Sequence, residues 1–252
     1  MWNPTQYNKY HDYRTRPACD LINAIPDLRY NSAIDLGCGT GHITQMLADK
    51  FKPAHLSGID SSQAMLDKAQ VGFPHLNWVL GDIGDTEKLG QHDLVFSNAA
   101  LQWLPGHQHL LPQLLQQTNK VLAIQMPNNF QAASHVLLRE TIHEDPLYRE
   151  KLQAIVRTDP VMSLTQYYDL LSPATRHLDM WETNYLQQLE GDNPVLEWVK
   201  GTALVPVQAN LGAQEFTEFK ARYNTKLLQA YPKDGKGVTL FPFSRLFIVA
   251  VK

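Results

Sequence analysis

Cysteine is nearly missing: Cys19 and Cys38 are the only two in 252 residues. They offer no disulfide framework, and neither sits in a Cys-x-x-Cys pair, which points to a reducing compartment. Long hydrophobic runs are missing as well. No stretch approaches the roughly 20 apolar residues that span a bilayer. The opening "MWNPTQYNKYHDYRTRP" has no apolar core of the kind a secretory signal carries. The expectation is a cytoplasmic protein without a membrane partner. Nor does charge of one sign accumulate: 22 Lys and Arg against 25 Asp and Glu leave a formal net charge of -3. That removes the electrostatic argument for a nucleic-acid partner or an anionic surface. A local arginine cluster is invisible in such a sum, so small anionic ligands stay open. There are no repeats and no low-complexity tracts.

What remains is an ordinary globular composition, 44% hydrophobic and 19% charged, on a chain long enough for one large α/β domain. From about residue 30 to 126 short apolar runs alternate with amphipathic stretches. "SAIDLG", "HLSGID", "NWVLGD", "HDLVFSNAAL" and "KVLAIQMP" read as five strands. "GHITQMLADKF", "SSQAMLDKAQVGF" and "HQHLLPQLLQQTN" read as helices between them. Ser61 or Ser62 is placed to cap the second helix. The strands lack clean alternation, as expected where helices cover both faces of a parallel sheet. After Pro127 the texture changes to helices broken by Pro146 and Pro160, a helix at "TQYYDLLS" and an extended "LDMWETNYLQQL". Further helices follow, and the apolar strand "FSRLFIVAVK" closes the chain. The expected fold class is α/β, a Rossmann-like, doubly wound, seven-stranded, mostly parallel sheet with an added helical substrate-side subdomain. The expected layout is a single domain: a cofactor-binding core over about 30–126, a helical insertion over about 127–240 and a closing strand over 241–252.

Ligands of such sheets bind beyond the carboxyl ends of the strands, and the unusual residues fall there. "AIDLGCGTGHIT" sets Gly37, Gly39 and Gly41 at alternating positions after a strand, where backbone must approach a ligand. The spacing is G-x-G-x-G, not the G-x-G-x-x-G of dinucleotide folds. Asp60 ends the next strand, 19 residues after Gly41, where a carboxylate accepts from ribose hydroxyls. The loop and Asp60 alone leave a nicotinamide cofactor and S-adenosylmethionine both open. Asp35 separates them. A carboxylate just ahead of the loop would repel a pyrophosphate, whereas it suits a cofactor carrying an ammonium and a sulfonium. Its competing role is a loop cap that bonds backbone amides. Asp82 can accept from an exocyclic amino group while Ile83 adds a backbone amide and an apolar contact; together they suit adenine, and the competing role of Asp82 is a solvated turn acid. Asn98 ends the fourth strand, facing the reactive group and the substrate. Trp103 reads as a wall of the pocket or as core, with core the safer reading for a lone tryptophan, and Cys38 as a small hydrophobe beneath the loop. "HQH" at 107–109 reads as a polar helix face, and no metal is expected.

Together "IDLGCGTGHIT", "GIDSSQAML", "GDI" and "SNAALQWLP" resemble the class I S-adenosylmethionine-dependent methyltransferases. "WNPTQY", "RTRPACDLI", "IQMPNNF" with "SHVLLRE", "YYDLLS", "EWVKGTAL" and "FPFSRLFIVA" extend the likeness over nearly the whole chain, to the trans-aconitate 2-methyltransferase family. The resemblance implies transfer of a methyl group from S-adenosylmethionine to one carboxylate of trans-aconitate, leaving S-adenosylhomocysteine. It implies that Gly37, Gly39 and Gly41 line the methionine portion, Asp35 its polar end, and Asp60 with Ser61 the ribose. Asp82 and Ile83 would hold the adenine, and Asn98 the cofactor near the methyl. Trp2, Asn3 and Tyr7 would form a lid over the cofactor, with Tyr13 and Arg14 nearby. The stretch "HEDPLYREKLQAIVRTDP" and the "PAT" at 173–175 depart from the family pattern, both on the substrate side.

A carboxylate acceptor is ionised at neutral pH and needs no general base. No catalytic residue is therefore expected; proximity, orientation and exclusion of water carry the reaction. A tricarboxylate must be held by cations, and arginine's planar fork binds carboxylates bidentately. Arg14, Arg139, Arg157 and Arg245 are the candidates, with His135, Tyr168 and Trp181 as further pocket residues. Arg245 stands out, because an unpaired charge in an apolar strand would be costly. A malonyl thioester's free carboxylate is the alternative acceptor, although no basic run is present to dock a carrier protein. A nicotinamide-dependent oxidoreductase is disfavoured by Asp35 and the glycine spacing, and a non-catalytic cofactor-binding protein is the third reading. The expected assembly is a monomer or weak oligomer on a small-molecule substrate.

Overall fold

The computed structural model describes residues 11–155 and 161–252. Helix α1 (His11–Ala24) leads into β1 (Ser32–Leu36), α2 (His42–Phe51), β2 (His55–Asp60), α3 (Gln63–Gly72) and β3 (Asn77–Leu80). Then come β4 (His92–Asn98), α4 (His107–Gln116) and β5 (Thr118–Pro127). The remainder holds α5 (Ala133–His143), α6 (Pro146–Leu152), α7 (Leu164–Leu171) and β6 (His177–Leu189). It closes with α8 (Pro194–Lys200), α9 (Leu204–Asn210), α10 (Ala213–Ala230) and β7 (Thr239–Val251).

The seven strands form one sheet in the order β3-β2-β1-β4-β5-β7-β6. Pairs β1–β2, β2–β3, β1–β4 and β4–β5 are parallel, and β7 runs antiparallel to β5. The chain leaves β1 toward β2 on one side and later returns to place β4 on the other. That reversal of direction opens a crevice at the carboxyl ends of β1 and β4. The core explains the missing alternation. Ala33 to Leu36, Leu94 to Phe96, Val121 to Ile124 and Leu246 to Ala250 are buried on successive positions, so both faces of these strands are covered.

Two compact units divide the chain. One gathers the first turn of α1 with 128–155 and 184–244; the other gathers Thr15–Pro127, 161–183 and Arg245–Lys252. The first has its own core, in which Leu138, Ile142, Tyr148, Trp198, Phe219 and Phe241 pack together. Burying a side chain of this size is worth about 1.5–3 kcal/mol relative to exposure. Its helix ends are also secured. Asp145 accepts from the Leu147 amide at 3.0 Å, caps α6 ahead of Pro146, and pairs with Arg222 at 3.0 Å. In the second unit, Ser163 and Gln166 form a reciprocal capping box on α7. Ser62, not Ser61, stands at the N-cap of α3, and its hydroxyl caps nothing. The Asp60 carboxylate takes the Ser62 amide instead. Among the described residues no helix is long and apolar enough to cross a membrane.

Candidate active site

Three glycines meet three different demands in the loop after β1. The amides of Gly37 and Cys38 both donate to the Ile59 carbonyl, at 2.8 and 3.0 Å, tying the loop to the end of β2. Gly37 has φ +76°, and a Cβ on it would lie 2.3 Å from that of Ala100. The segment after β4 therefore rests directly on the loop. Gly41, at φ +80°, starts α2, where a Cβ would strike the Trp78 ring at 2.4 Å. A Cβ on Gly39 would meet nothing within 4 Å; this is the open side, available to a ligand. Cys38 is buried beneath the loop, and burial together with Asp35 and Asp60 pushes its thiol up, so it is no nucleophile.

Asp35 points under this loop at 2% exposure and accepts a hydrogen bond from the Thr44 hydroxyl at 2.6 Å. Burial pushes its carboxyl up to about 7, opposed by the Thr44 bond and reinforced by the nearby Asp60 charge. Asp60 is the acid that bonds loop amides. Gly39 donates to its Oδ2 and Ser62 to its Oδ1, each at 2.9 Å. Each oxygen keeps a lone pair for another donor. Asp82 is exposed and folds back on the Gly84 amide at 2.8 Å. Ile83 reaches toward Gly37, within 3.9 Å of where its Cβ would be.

At the end of β4 the Asn98 Oδ1 is buried with no hydrogen-bond partner among the described residues. Ala99 adopts φ +54° and donates its amide to the Gln125 carbonyl at 2.9 Å. Asn98 is register partner to Gln125, Gln125 to Phe247, and Pro127 to Arg245. Register partners share a face of a sheet, and so do alternate residues of one strand. Asn98, Gln125, Phe247 and Arg245 therefore lie on one face. Arg245 is 4% exposed and its Nη1 donates to Gln125 Oε1 at 3.2 Å. That bond fixes the amide, leaving the buried Gln125 Nε2 without an acceptor among the described residues. Trp181 stacks flat on Phe247, centroids 4.6 Å apart. Gln125 was missed by the sequence reading, although it carries the signal that singled out Arg245: a polar residue inside an apolar strand.

Other expected residues fall elsewhere. Trp2, Tyr7 and Arg157, and the side chain of Arg14, lie outside the described residues. The Tyr13 hydroxyl donates to the Gln188 carbonyl at 2.9 Å. Arg139 holds the turn before its own helix, donating to the Phe130 carbonyl at 2.8 Å and to Gln131 Oε1 at 3.3 Å. His135, one turn back, packs on Phe130. Burial and the Arg139 charge push its imidazole down to about 4, so it is neutral at physiological pH. Tyr168 is 53% exposed on α7, whereas its neighbour Tyr167 is buried. Trp103, expected in the core, is 43% exposed. His107, expected on a polar helix face, is buried instead. Its Nε2 lies 2.9 Å from the Leu101 carbonyl and its Nδ1 2.5 Å from the Tyr167 hydroxyl. No cluster of His, Cys, Asp and Glu suited to a metal occurs among the described residues.

A glycine loop at the crevice, a carboxylate fixed at the end of β2 and a buried acid beneath the loop are the arrangement expected of a class I S-adenosylmethionine-dependent methyltransferase. The residues fit that cofactor: a desolvated carboxylate with no cation beside it among the described residues, open space over Gly39 and a buried Asn98 acceptor with no described partner match a ligand rich in hydroxyl, ammonium and sulfonium groups. A family model described as "Methyltransferase domain" matches residues 33–124. The chain is 40% identical to a trans-aconitate 2-methyltransferase of Azoarcus sp. (strain BH72), over all of this chain and 99% of that one. It is 41% identical to the namesake of Sinorhizobium fredii, over all of this chain and 98% of that one. Among solved structures, the YcgJ protein of Bacillus subtilis shares the fold with a TM-score of 0.60 at 12% identity, covering 94% of this chain and 98% of that one. The chain belongs to the trans-aconitate 2-methyltransferase family, and it is an S-adenosylmethionine-dependent methyltransferase.

Proposed function

We propose that this enzyme forms the monomethyl ester of trans-aconitate. Full-length similarity to enzymes named for that substrate supports the reading. The observation that carries it is the buried Arg245–Gln125 pair beside Asn98. A guanidinium and a fixed amide donor held away from water suit a carboxylate-rich acceptor, and each charge-assisted bond is worth about 1.5–3 kcal/mol.

Bound S-adenosylmethionine supplies an electrophilic methyl group on a sulfonium. We assign Asp60, with Ser61 beside it, to the ribose hydroxyls; the Gly39 and Ser62 amides hold that carboxylate in place. Asp82 and Ile83 take the adenine, Gly37 and Gly39 the methionine backbone, and Asp35 its ammonium. Asn98 faces the methyl end. Arg245 and Gln125 donate to the acceptor, whose attacking carboxylate is already ionised, so no residue has to remove a proton. Trp181, stacked on Phe247, closes the apolar side of the same sheet face. Trp2, Tyr7 and Arg14 are assigned to the cofactor lid. Arg139, Arg157, His135 and Tyr168 remain candidates for acceptor recognition.

The same reading makes the chain one methyltransferase domain with an acceptor-side helical insertion over about 127–240. It acts in the cytoplasm as a monomer or weak oligomer, without nucleic acid or membrane. The free Cys19 and Cys38 are in keeping with that compartment. The variant Arg245→Lys keeps the charge and loses the fork. Its KM for trans-aconitate should rise at least about tenfold, the equivalent of one charge-assisted bond, while cofactor affinity by calorimetry stays near wild type. An unchanged KM would remove Arg245 from the acceptor site.

A further inference from the structure

His107 and Tyr167 are 60 positions apart in sequence and form a buried pair that the assigned chemistry leaves unused. The partners set the direction of the bonds along one path. A carbonyl only accepts, so the Nε2 facing Leu101 carries the imidazole proton. Nδ1 is then an acceptor, and the Tyr167 hydroxyl donates to it at 2.5 Å. That hydroxyl accepts in turn from the Met162 amide at 3.1 Å. The result is a directed chain from the Met162 amide, through Tyr167 and His107, to the Leu101 carbonyl. Burial pushes the imidazole pKa down against the bonds to the Leu101 and Leu104 backbone, which push it up, and the net fall favours the neutral ring this chain requires.

The far end of the chain lies in a segment of functional consequence. Leu101 sits in the middle of the loop after Asn98, in a 3₁₀ turn closed by bonds from Trp103 to Ala100 and from Leu104 to Leu101, at 3.0 and 2.9 Å. Ala99 in this loop holds a left-handed φ of +54° that a residue with a Cβ adopts only under constraint. The Gln102 side-chain Nε2 donates to the Ala99 carbonyl at 2.7 Å. Ala100 is the residue that rests on Gly37. A loop in a strained conformation, touching the glycine loop and following Asn98, needs an anchor, and buried polar chains specify orientation more than they add stability.

We propose that His107 and Tyr167 are positioning residues for methyl transfer: their hydrogen-bonded chain locks the 99–104 loop against the glycine loop and so sets the placement of Asn98. The inference rests on the assignment of Asn98 to the methyl end of the cofactor. Neither residue touches substrate in this scheme; both act through the Leu101 carbonyl.

Three variants test it in the full-length enzyme. His107→Phe removes both bonds, Tyr167→Phe removes the hydroxyl while keeping the ring, and His107→Gln retains an amide donor for Leu101. Hydrogen exchange of the Trp103 and Leu104 amides is read without any substrate. In His107→Phe these amides should exchange at least about tenfold faster, the loss equivalent to one net hydrogen bond of the loop. The kcat should fall by a similar factor while the KM for the acid acceptor stays near wild type. Tyr167→Phe should move the same way by less, and His107→Gln should recover most of both. Folded His107→Phe and Tyr167→Phe with wild-type exchange and kcat would overturn the proposal. So would a His107→Gln as impaired as His107→Phe, because the imidazole would then only fill space. Exchange decides the loop lock even where no carboxylate is methylated, so a failure of the assigned reaction is told apart from a failure of this inference.

Discussion

Asp35 is a carboxylate without solvent, and that single fact sets a pH dependence. The group ordinarily ionises near 3.8 and is pushed up to about 7 here. Between those values the folded chain keeps a proton that the unfolded chain has released. Asp35 therefore costs the fold nothing below its unfolded pKa, an increasing amount as pH rises to about 7, and a constant amount above. A cofactor bearing an ammonium reverses the preference, since it binds the ionised carboxylate better. Cofactor affinity should rise from pH about 5.5 to 7.5, with a proton released on binding below about pH 7. Calorimetry in two buffers of different ionisation enthalpy measures both. Asp35→Asn should flatten the profile and weaken binding at the upper end. An equally steep profile in that variant would move the titration to another group. Arg245 was legible in the sequence for this physical reason: it interrupts a strand that otherwise buries both faces, and desolvating such a group needs a purpose; Asp35 and Asn98 were legible from their places at strand ends, where ligands of such sheets bind.

The loop after β1 carries a prediction of its own at the scale of elements. Gly37→Ala asks for a Cβ 2.3 Å from Ala100 at φ +76°, whereas Gly39→Ala at φ +56° meets open space. The second change should cost about 1–2 kcal/mol, the ordinary left-handed penalty. The first adds a collision between two loops and should cost more, with a larger fall in melting temperature. Equal melting temperatures would mean that the two loops do not rest on each other. The five strands from β1 to β5 and the helices between them were legible because period and apolar content agree with a covered parallel sheet. Pairings between distant elements were not. Adjacent tyrosines 167 and 168 look alike in sequence, and only the turn of α7 decides that Tyr167 is buried and Tyr168 half exposed. His107 looked solvated because its partner lies 60 residues away. Trp103 looked like core because a tryptophan's size argues for burial, yet a 3₁₀ turn holds it outward.

At the scale of the molecule, the order β3-β2-β1-β4-β5-β7-β6 places the residues assigned to the cofactor about the crevice between β1 and β4, and Gln125 and Arg245 on neighbouring strands β5 and β7. Cofactor and acceptor are thus assigned to opposite sides of Asn98 along a single sheet face. Such an arrangement works by placement, with the acceptor carboxylate supplying its own negative charge. The acceptor side was less legible than the cofactor side. Carboxylate binding can be built from arginines at many places in a fold, whereas ribose binding needs an acid at one strand end. The most direct measurement uses the purified chain with methyl-labelled S-adenosylmethionine and a panel of di- and tricarboxylates, followed by mild base and collection of volatile label. Base-labile volatile label with trans-aconitate is the expected result, and transfer to no carboxylate on the panel would contradict it.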